Sequence, residues 1–212
     1  MVASPEEPRT TAPSASPHRF PFSALYDVNE RCIELLVHAA RSSQSVPFAL
    51  VSQVREELRN LDPEARRRTA SHGFLLIDLE FGNVEWWQAA LAQPQRTLRA
   101  PAWRGSFERR AGISLTRSTL MFVWHSLRAD RDAARVLLGL AAPVAELLRA
   151  LPLPALDPIA ERYFRHLRPR WHERPALWRL LLKSAAAGDP AAQHGFDVLG
   201  LQLIGGELLE DQ

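Results

Sequence analysis

Apolar residues recur every three or four positions along most of the chain, the spacing that one face of an α-helix requires. Helices are predicted at about 25–41, 48–61, 64–71, 83–87, 116–127, 132–140, 143–151, 159–167 and 175–182. Asp27 or Asn29 suits the cap of the first helix, and Asp62 and Asn83 suit later caps. The predicted fold class is therefore all-α.

A short apolar segment at 74–81 interrupts this helical pattern. It lies between Gly73 and Gly82, and its length fits either a strand or a buried turn of helix. The fold is therefore predicted to contain at most one short β segment, at this place.

The chain matches itself when it is shifted by 90 residues without a gap. Residues 54–61 and 144–151 share five of eight positions, in the pattern V-x-E-x-L-R-x-L, and proline and alanine follow in both copies. Chance likeness between Leu- and Ala-rich helices is the alternative. A repeat this long is no solenoid unit, so the match predicts two tandem helical domains packed as a pseudo-dimer.

Five segments follow from these patterns. Residues 1–22 hold five prolines and little apolar surface, which predicts a disordered leader. The first helical repeat is placed at 23–91, a linker at 92–111 and the second helical repeat at 112–183. Residues 184–212 form an acidic and apolar C-terminal tail, in which 198–209 fits a short docked helix.

Charge is distributed unevenly along the chain. Residues 1–95 carry 9 arginines and 12 acidic residues, whereas residues 96–183 carry 17 basic and 7 acidic residues. Residues 184–212 carry 5 acidic residues and no basic one. A basic middle between acidic ends fits an anionic partner such as nucleic acid, or the docking of one half of the protein on the other.

The second copy resembles the flagellar master regulator subunit FlhD over residues 120–161. The resemblance rests on Asp132-Ala133-Ala134, Leu138-Gly139-Leu140, Val144-Ala145, Leu148 to Pro154 and Ile159-Ala160-Glu161, and in the first copy on Leu25 to Asn29 and Phe74 to Phe81. It implies a helical, dimer-forming transcription regulator that works with a zinc-bearing, FlhC-like partner. Because Cys32 is its only cysteine, this chain cannot supply a four-cysteine zinc site itself.

Two patterns suit DNA. Residues 107–121 contain a glycine turn before a Ser/Thr-capped helix, as in a helix-turn-helix, although an ordinary helix start is the alternative. Arginines between aromatic residues at 162–179 suit phosphate groups, although a solvated helix face is the alternative. The candidate DNA-binding residues are Arg109, Arg110, Thr116, Arg117, Arg162, Arg165, Arg168, Arg170 and Arg174.

The chain is rich in tryptophan, a residue that often anchors protein interfaces. Packing in the core is the alternative for most of these side chains. The candidate partner interface consists of Trp86, Trp87, Trp103, Trp171 and Trp178.

Enzyme signals are missing from the sequence. It holds no nucleophile elbow, phosphate-binding loop or metal-type spacing of histidines and cysteines. The chain is therefore predicted not to be an enzyme and to use no cofactor, metal or small-molecule substrate. It lacks an apolar run of eighteen residues and a secretory signal, so a cytoplasmic protein without a membrane segment is expected.

Two hypotheses for function remain. The first is a bacterial transcription regulator or coregulator that binds an FlhC-like subunit or a second copy, and DNA through its basic half. The second is a protein-interaction adaptor or regulatory subunit without nucleic-acid contact. Exposed, coplanar arginines favour the first hypothesis, and arginines paired with acidic residues favour the second.

Overall fold

The computed structural model describes residues 20–42, 48–92 and 106–210, and within these ranges it is almost entirely helical. Its helices are α1 Phe22–Arg41, α2 Ala49–Gln53, α3 Arg55–Asn60, α4 Pro63–Ala70, α5 Val84–Ala92, α6 Arg109–Ala129, α7 Arg131–Leu138, α8 Ala142–Ala150, α9 Leu156–Tyr163, α10 Pro175–Ala187 and α11 Pro190–Glu210. The strands are β1 Ile77–Asp78 and β2 Arg168–Pro169, and short 3-10 helices at Leu153–Ala155 and Phe164–His166 flank α9. The all-α prediction is confirmed.

Local sequence explains several helix ends. The Asp62 carboxylate accepts a hydrogen bond from the Ala65 amide at 2.7 Å and caps α4, with Pro63 in the first turn. Asn83 caps α5 in the same way, through the Trp86 amide. Gly139 follows α7 with a φ of 65°, a left-handed conformation that glycine adopts without strain.

Several predicted boundaries are wrong. Helix α1 begins at Phe22, so Asp27 and Asn29 lie inside it and do not cap it. The helix predicted at 48–61 is two helices that meet at the buried Val54. Helix α6 begins within the predicted linker and runs through Gly112 without a turn, so of the two alternatives the ordinary helix start is correct and the helix-turn-helix is wrong. Most of the predicted leader and linker lies outside the described residues.

The elements of the two halves follow one another in the same order. Helix α1 corresponds to α6, α2 and α3 together correspond to α8, and α4 corresponds to α9. Strand β1 corresponds to β2 and α5 to α10, and α7 lies between α6 and α8. The offset is 91 residues from the strands onward, where the buried Trp87 and Trp178 are equivalent. The ungapped match therefore needs one inserted residue in the second copy. This order is what a duplication predicts, and the proposed domain limits stay a prediction.

The two strands join the halves. Ile77 pairs with Pro169 and Asp78 pairs with Arg168, in antiparallel register. At an offset of 91 residues Ile77 is equivalent to Arg168, and Asp78 is equivalent to Pro169. Exchanging the two halves therefore turns one pair into the other, as a local twofold axis would. The β segment near 74–81 was predicted, whereas its partner strand was not. Apolar residues of both halves form one core, in which α1 packs on α6 and α10 packs on α4.

Candidate interaction surface

The strand pair brings charged side chains together where the two halves meet. The Arg168 guanidinium lies 2.7 Å from Asp78 Oδ2 and 2.6 Å from Glu80 Oε1. Burial opposes the charge of Arg168, but the two carboxylates outweigh burial and raise its pKa. Burial also opposes the charge of Glu80, yet His166 and Arg168 hold the pKa of Glu80 below its ordinary value. Arg168 is thus neutralised inside the molecule.

Arg170 is enclosed even more completely, with only 5% of its surface exposed. Its Nε donates to the Leu75 carbonyl at 3.2 Å, and its Nη2 donates to the Leu138 carbonyl at 2.7 Å. Its Nη1 donates to Glu207 Oε2 at 3.0 Å. The prediction that Arg170 faces DNA is therefore wrong, because its donors connect three parts of the fold.

Two candidates on α6 are also engaged within the chain. Thr116 is fully buried, and its hydroxyl donates to the Gly112 carbonyl at 2.7 Å. The Arg117 guanidinium lies 2.5 Å from Asp157 and 3.7 Å from Glu161. The prediction of a DNA contact is wrong for Thr116, whereas Arg117 is half-exposed and ion-paired.

A smaller basic surface stays open at the start of α6. Arg109 and Arg110 are exposed there, and Arg165 is exposed on the adjoining 3-10 helix. The two segments pack closely, since a side chain at Gly112 would lie 3.0 Å from the Phe164 ring. We call Arg109, Arg110 and Arg165 the α6 basic patch. Two other candidates do not belong to it: Arg162, half-buried beside the Tyr163 ring, and Arg174, exposed just before α10.

The tryptophan prediction is wrong for the residues that are buried. Trp87, Trp171 and Trp178 are each less than 5% exposed. Trp178 Nε1 donates to the Arg170 carbonyl at 2.8 Å. Trp86 is half-buried and packs its ring on Tyr163 and His166. These four side chains therefore form core rather than a partner surface, and Trp103 lies outside the described residues.

A polar cleft of about 840 Å³ opens beside the strand pair. Arg168 and Arg170 line it, but both are already paired with carboxylates. His172 also lines the cleft, and burial lowers its pKa. His166 lies 3.8 Å from Glu80 yet is buried away from the cleft wall. The two arginines of the cleft are thus already matched by carboxylates.

The C-terminal segment 184–212, predicted as a tail with a short docked helix at 198–209, contributes the last turn of α10 and the whole of α11, which begins earlier, at Pro190. Phe196, Gly200 and Ile204, four residues apart, form the buried stripe of α11. A Cβ at Gly200 would lie 2.3 Å from the Phe74 ring, so glycine is what lets the helix approach that ring. The docked helix that the sequence predicted at 198–209 is confirmed, although its buried stripe begins earlier, at Phe196.

Both carboxylates of α11 between 195 and 209 reach back to the body of the protein. Asp197 Oδ1 lies 2.8 Å from His72 Nδ1 and accepts a hydrogen bond from the Gly73 amide. Glu207 binds Arg170 and accepts a hydrogen bond from Trp171 Nε1 at 2.7 Å. Two of the five acidic residues that the sequence showed in this segment, Asp197 and Glu207, therefore bind within the protein.

The opposite side of α11 is uncharged and exposed. We call it the outer face of α11, and it consists of Gly195, Val198, Gln202, Gly206 and Leu209. Val198 is 44% exposed and Leu209 is 72% exposed, high values for apolar side chains on a helix that is otherwise docked. Sequence reasoning did not single out this face, because its apolar residues were counted toward docking.

The described ranges show neither a metal site nor a membrane-spanning helix. Among the described residues, no three His, Cys, Asp or Glu side chains are grouped as a metal site, and none of the helices there is long and apolar enough to cross a membrane. Cys32 is fully buried, and burial raises the pKa of its thiol, which makes it unreactive. The prediction that the chain is not an enzyme stays a prediction.

Comparison with protein-family models, with curated proteins and with solved structures found no match for this chain.

Proposed function

We propose that this chain is an adaptor or regulatory subunit that acts by binding proteins and does not read nucleic acid. The observation that carries the proposal is the pairing of Arg168 and Arg170 with Asp78, Glu80 and Glu207. These arginines stood at the centre of the predicted DNA surface. A guanidinium that already binds a carboxylate releases no counterion when DNA approaches.

The outer face of α11 supports the protein-binding part of the proposal. It exposes apolar side chains without charge, and uncharged apolar surface is depleted where nucleic acid binds and enriched at the centre of protein interfaces. A bacterial coregulator that contacts its partner in this way is consistent with the resemblance to FlhD, in which regulation depends on a partner subunit.

A second candidate function is direct DNA contact by a transcription regulator through the α6 basic patch. The observation that favours it is the packing of α6 on the 3-10 helix at 164–166, which brings the exposed Arg109, Arg110 and Arg165 onto two adjoining segments. This patch contains only three of the nine candidate DNA-binding residues, so the positive surface that it presents to DNA is small.

Titration of a fluorescent random-sequence DNA duplex with the full chain, at several salt concentrations, separates the two functions. The slope of log affinity against log salt is about −0.9 for each phosphate contact that is neutralised. An adaptor gives little binding and a slope near zero. A regulator that uses the α6 basic patch gives a slope of about −3.

A matched pair of variants shows whether any DNA binding that is seen depends on the α6 basic patch. R109Q/R110Q removes two charges from the α6 basic patch, and R59Q/R67Q removes two exposed charges elsewhere. Steep salt dependence that the first variant abolishes and the second preserves would overturn the adaptor proposal in favour of DNA contact. Flat binding in all three proteins supports the adaptor.

A further inference from the structure

Helix α11 packs on a groove that both halves of the protein form. His72 and Phe74 line the groove from the first half, and Arg170 and Trp171 line it from the second half. We call these four residues the α11 groove, and each of them is at most 5% exposed. Tryptophan and arginine are enriched among the residues that dominate the energy of protein interfaces. Helix α11 therefore covers a surface with the composition of a binding site.

Arg170 and Trp171 form a receptor for one carboxylate. Arg170 Nη1 donates to one oxygen of Glu207, and Trp171 Nε1 donates to the other. Arg170 Nε and Nη2 bind the carbonyls of Leu75 and Leu138, so the guanidinium is held in place without Glu207. Trp171 has a φ of 54°, a left-handed conformation that strains a bulky residue and occurs mostly at functional sites. The receptor is thus held by the body of the protein and not by α11.

A second carboxylate receptor lies ten residues away along α11. His72 Nδ1 lies 2.8 Å from Asp197 Oδ1, and the Gly73 amide donates to the same oxygen at 3.3 Å. Between the two receptors along the helix, Gly200 meets the Phe74 ring, which leaves no room for a Cβ. The α11 groove therefore fits a helix that carries two carboxylates about 15 Å apart and a small residue between them.

Helix α11 itself is weakly stable without the groove. It contains Gly195, Gly205 and Gly206 where no atom of the described residues lies within 4 Å of a Cβ built there, so packing does not require these glycines. Each lowers the equilibrium constant of helix formation about four- to fivefold relative to alanine, and the three together about a hundredfold. Glu207 lies in the last turn, where the helix dipole disfavours a carboxylate. The side chains of Asp197 and Glu207 are 37% and 41% exposed, so both can leave their receptors without opening the core.

We infer that α11 is a releasable helix that shields a protein-binding groove, and that a partner protein displaces it with an acidic, amphipathic helix of its own. The pattern that the groove accepts is the one that α11 carries. It has apolar residues eight positions apart with a small residue midway, and carboxylates one and eleven positions after the first apolar residue. The inference rests on the proposed function, because it gives the chemistry of the protein that the adaptor binds.

Hydrogen–deuterium exchange of the full chain, followed by mass spectrometry, measures the release of α11. The amides of α11 are expected to exchange through local opening, faster than those of α1 and α6. The variant G195A/G205A/G206A leaves the groove unchanged and is expected to slow exchange in α11 by up to about a hundredfold. Exchange of α11 at the rate of α1 and α6 in the wild-type chain would overturn the inference, because the helix would then leave only when the whole protein unfolds.

A fluorescein-labelled peptide of residues 190–210 that carries the same three substitutions is the probe for the partner helix. The full-chain variant D197N/E207Q weakens the resident helix and keeps every donor of the groove. It is expected to bind the peptide at least about tenfold more tightly than the wild-type chain does. E34Q/E56Q removes two exposed carboxylates on α1 and α3 and is expected to bind the peptide as the wild-type chain does.

Two results of this titration would overturn the inference. One is wild-type affinity in a D197N/E207Q chain whose circular dichroism spectrum is native, and the other is an equal gain in E34Q/E56Q. If the double variant does not fold, E207Q alone supplies the same comparison. The DNA titration concerns the α6 basic patch, so failure of the α11 groove and failure of the adaptor function can be told apart.

Discussion

Gly200 offers a sharp test of how α11 is attached to the body of the protein. A methyl group at this position would lie 2.3 and 2.4 Å from two atoms of the Phe74 ring. The ring is fully buried and packs against His72, Trp171 and Phe196, so it has no free volume into which it can move. Gly200→Ala must therefore shift either the ring or the helix.

The expected size of the effect follows from two opposing contributions. Overpacking a well-filled core costs about 1–3 kcal/mol, whereas alanine in place of glycine stabilises a helix interior by about 0.8–1 kcal/mol. Gly200→Ala is expected to lower the free energy of unfolding by up to about 2 kcal/mol. Gly205→Ala is the matched control, since it lies on the same helix with open space around it, and it is expected to raise that free energy by up to about 1 kcal/mol.

Urea denaturation followed by far-UV circular dichroism measures both variants under the same conditions. Because the gain in helix propensity is common to both variants, the two free energies of unfolding are expected to differ by about 1–3 kcal/mol. Equal stability of Gly200→Ala and Gly205→Ala would refute the contact between α11 and Phe74, and with it the docked position of this helix.

Two further predictions concern the charged cluster at the junction of the halves. Arg170→Met removes three hydrogen bonds and should lower the free energy of unfolding by about 2–4 kcal/mol, whereas Arg165→Met, at an exposed site, should change it by at most about 0.5 kcal/mol. The folded pKa of Glu80 lies below the ordinary value of 4.5, so its stabilisation is complete above that pH and is lost as the pH falls through the folded pKa. Glu80→Gln should therefore lower the urea midpoint at neutral pH and flatten its decline in acid, and parallel acid limbs for the two proteins would contradict this.

Local signals explain why the helices could be predicted from the sequence. Asp62 and Asn83 stand directly before the helices that they cap, and each needs only an amide three residues away. The roles of Asn29 and Arg170, in contrast, depend on residues that are far away in the sequence. Asn29 donates to the carbonyls of Ala70 and Phe74, more than forty residues away, and no local pattern encodes such a contact.

The candidate site was less predictable for the same reason. Arginines between aromatic residues suggested an exposed surface, but the carboxylates that neutralise Arg168 lie about ninety residues earlier. Strand β2 was missed because a two-residue strand that contains proline has no periodicity to detect. The outer face of α11 could be separated from its buried stripe only once Phe74 was known to fill the space at Gly200.

The strand pair has a consequence for how the protein is made. Leu75 and Leu76 receive hydrogen bonds from Arg170, so the first half cannot complete its backbone bonding until the second half has been synthesised. A ribosome that adds about 5–20 residues per second needs roughly 5–18 seconds to make the intervening chain. During that interval an unpaired apolar strand is open to neighbouring nascent chains. We therefore expect the yield of folded protein in the cell to depend on the speed of translation as well as on native stability.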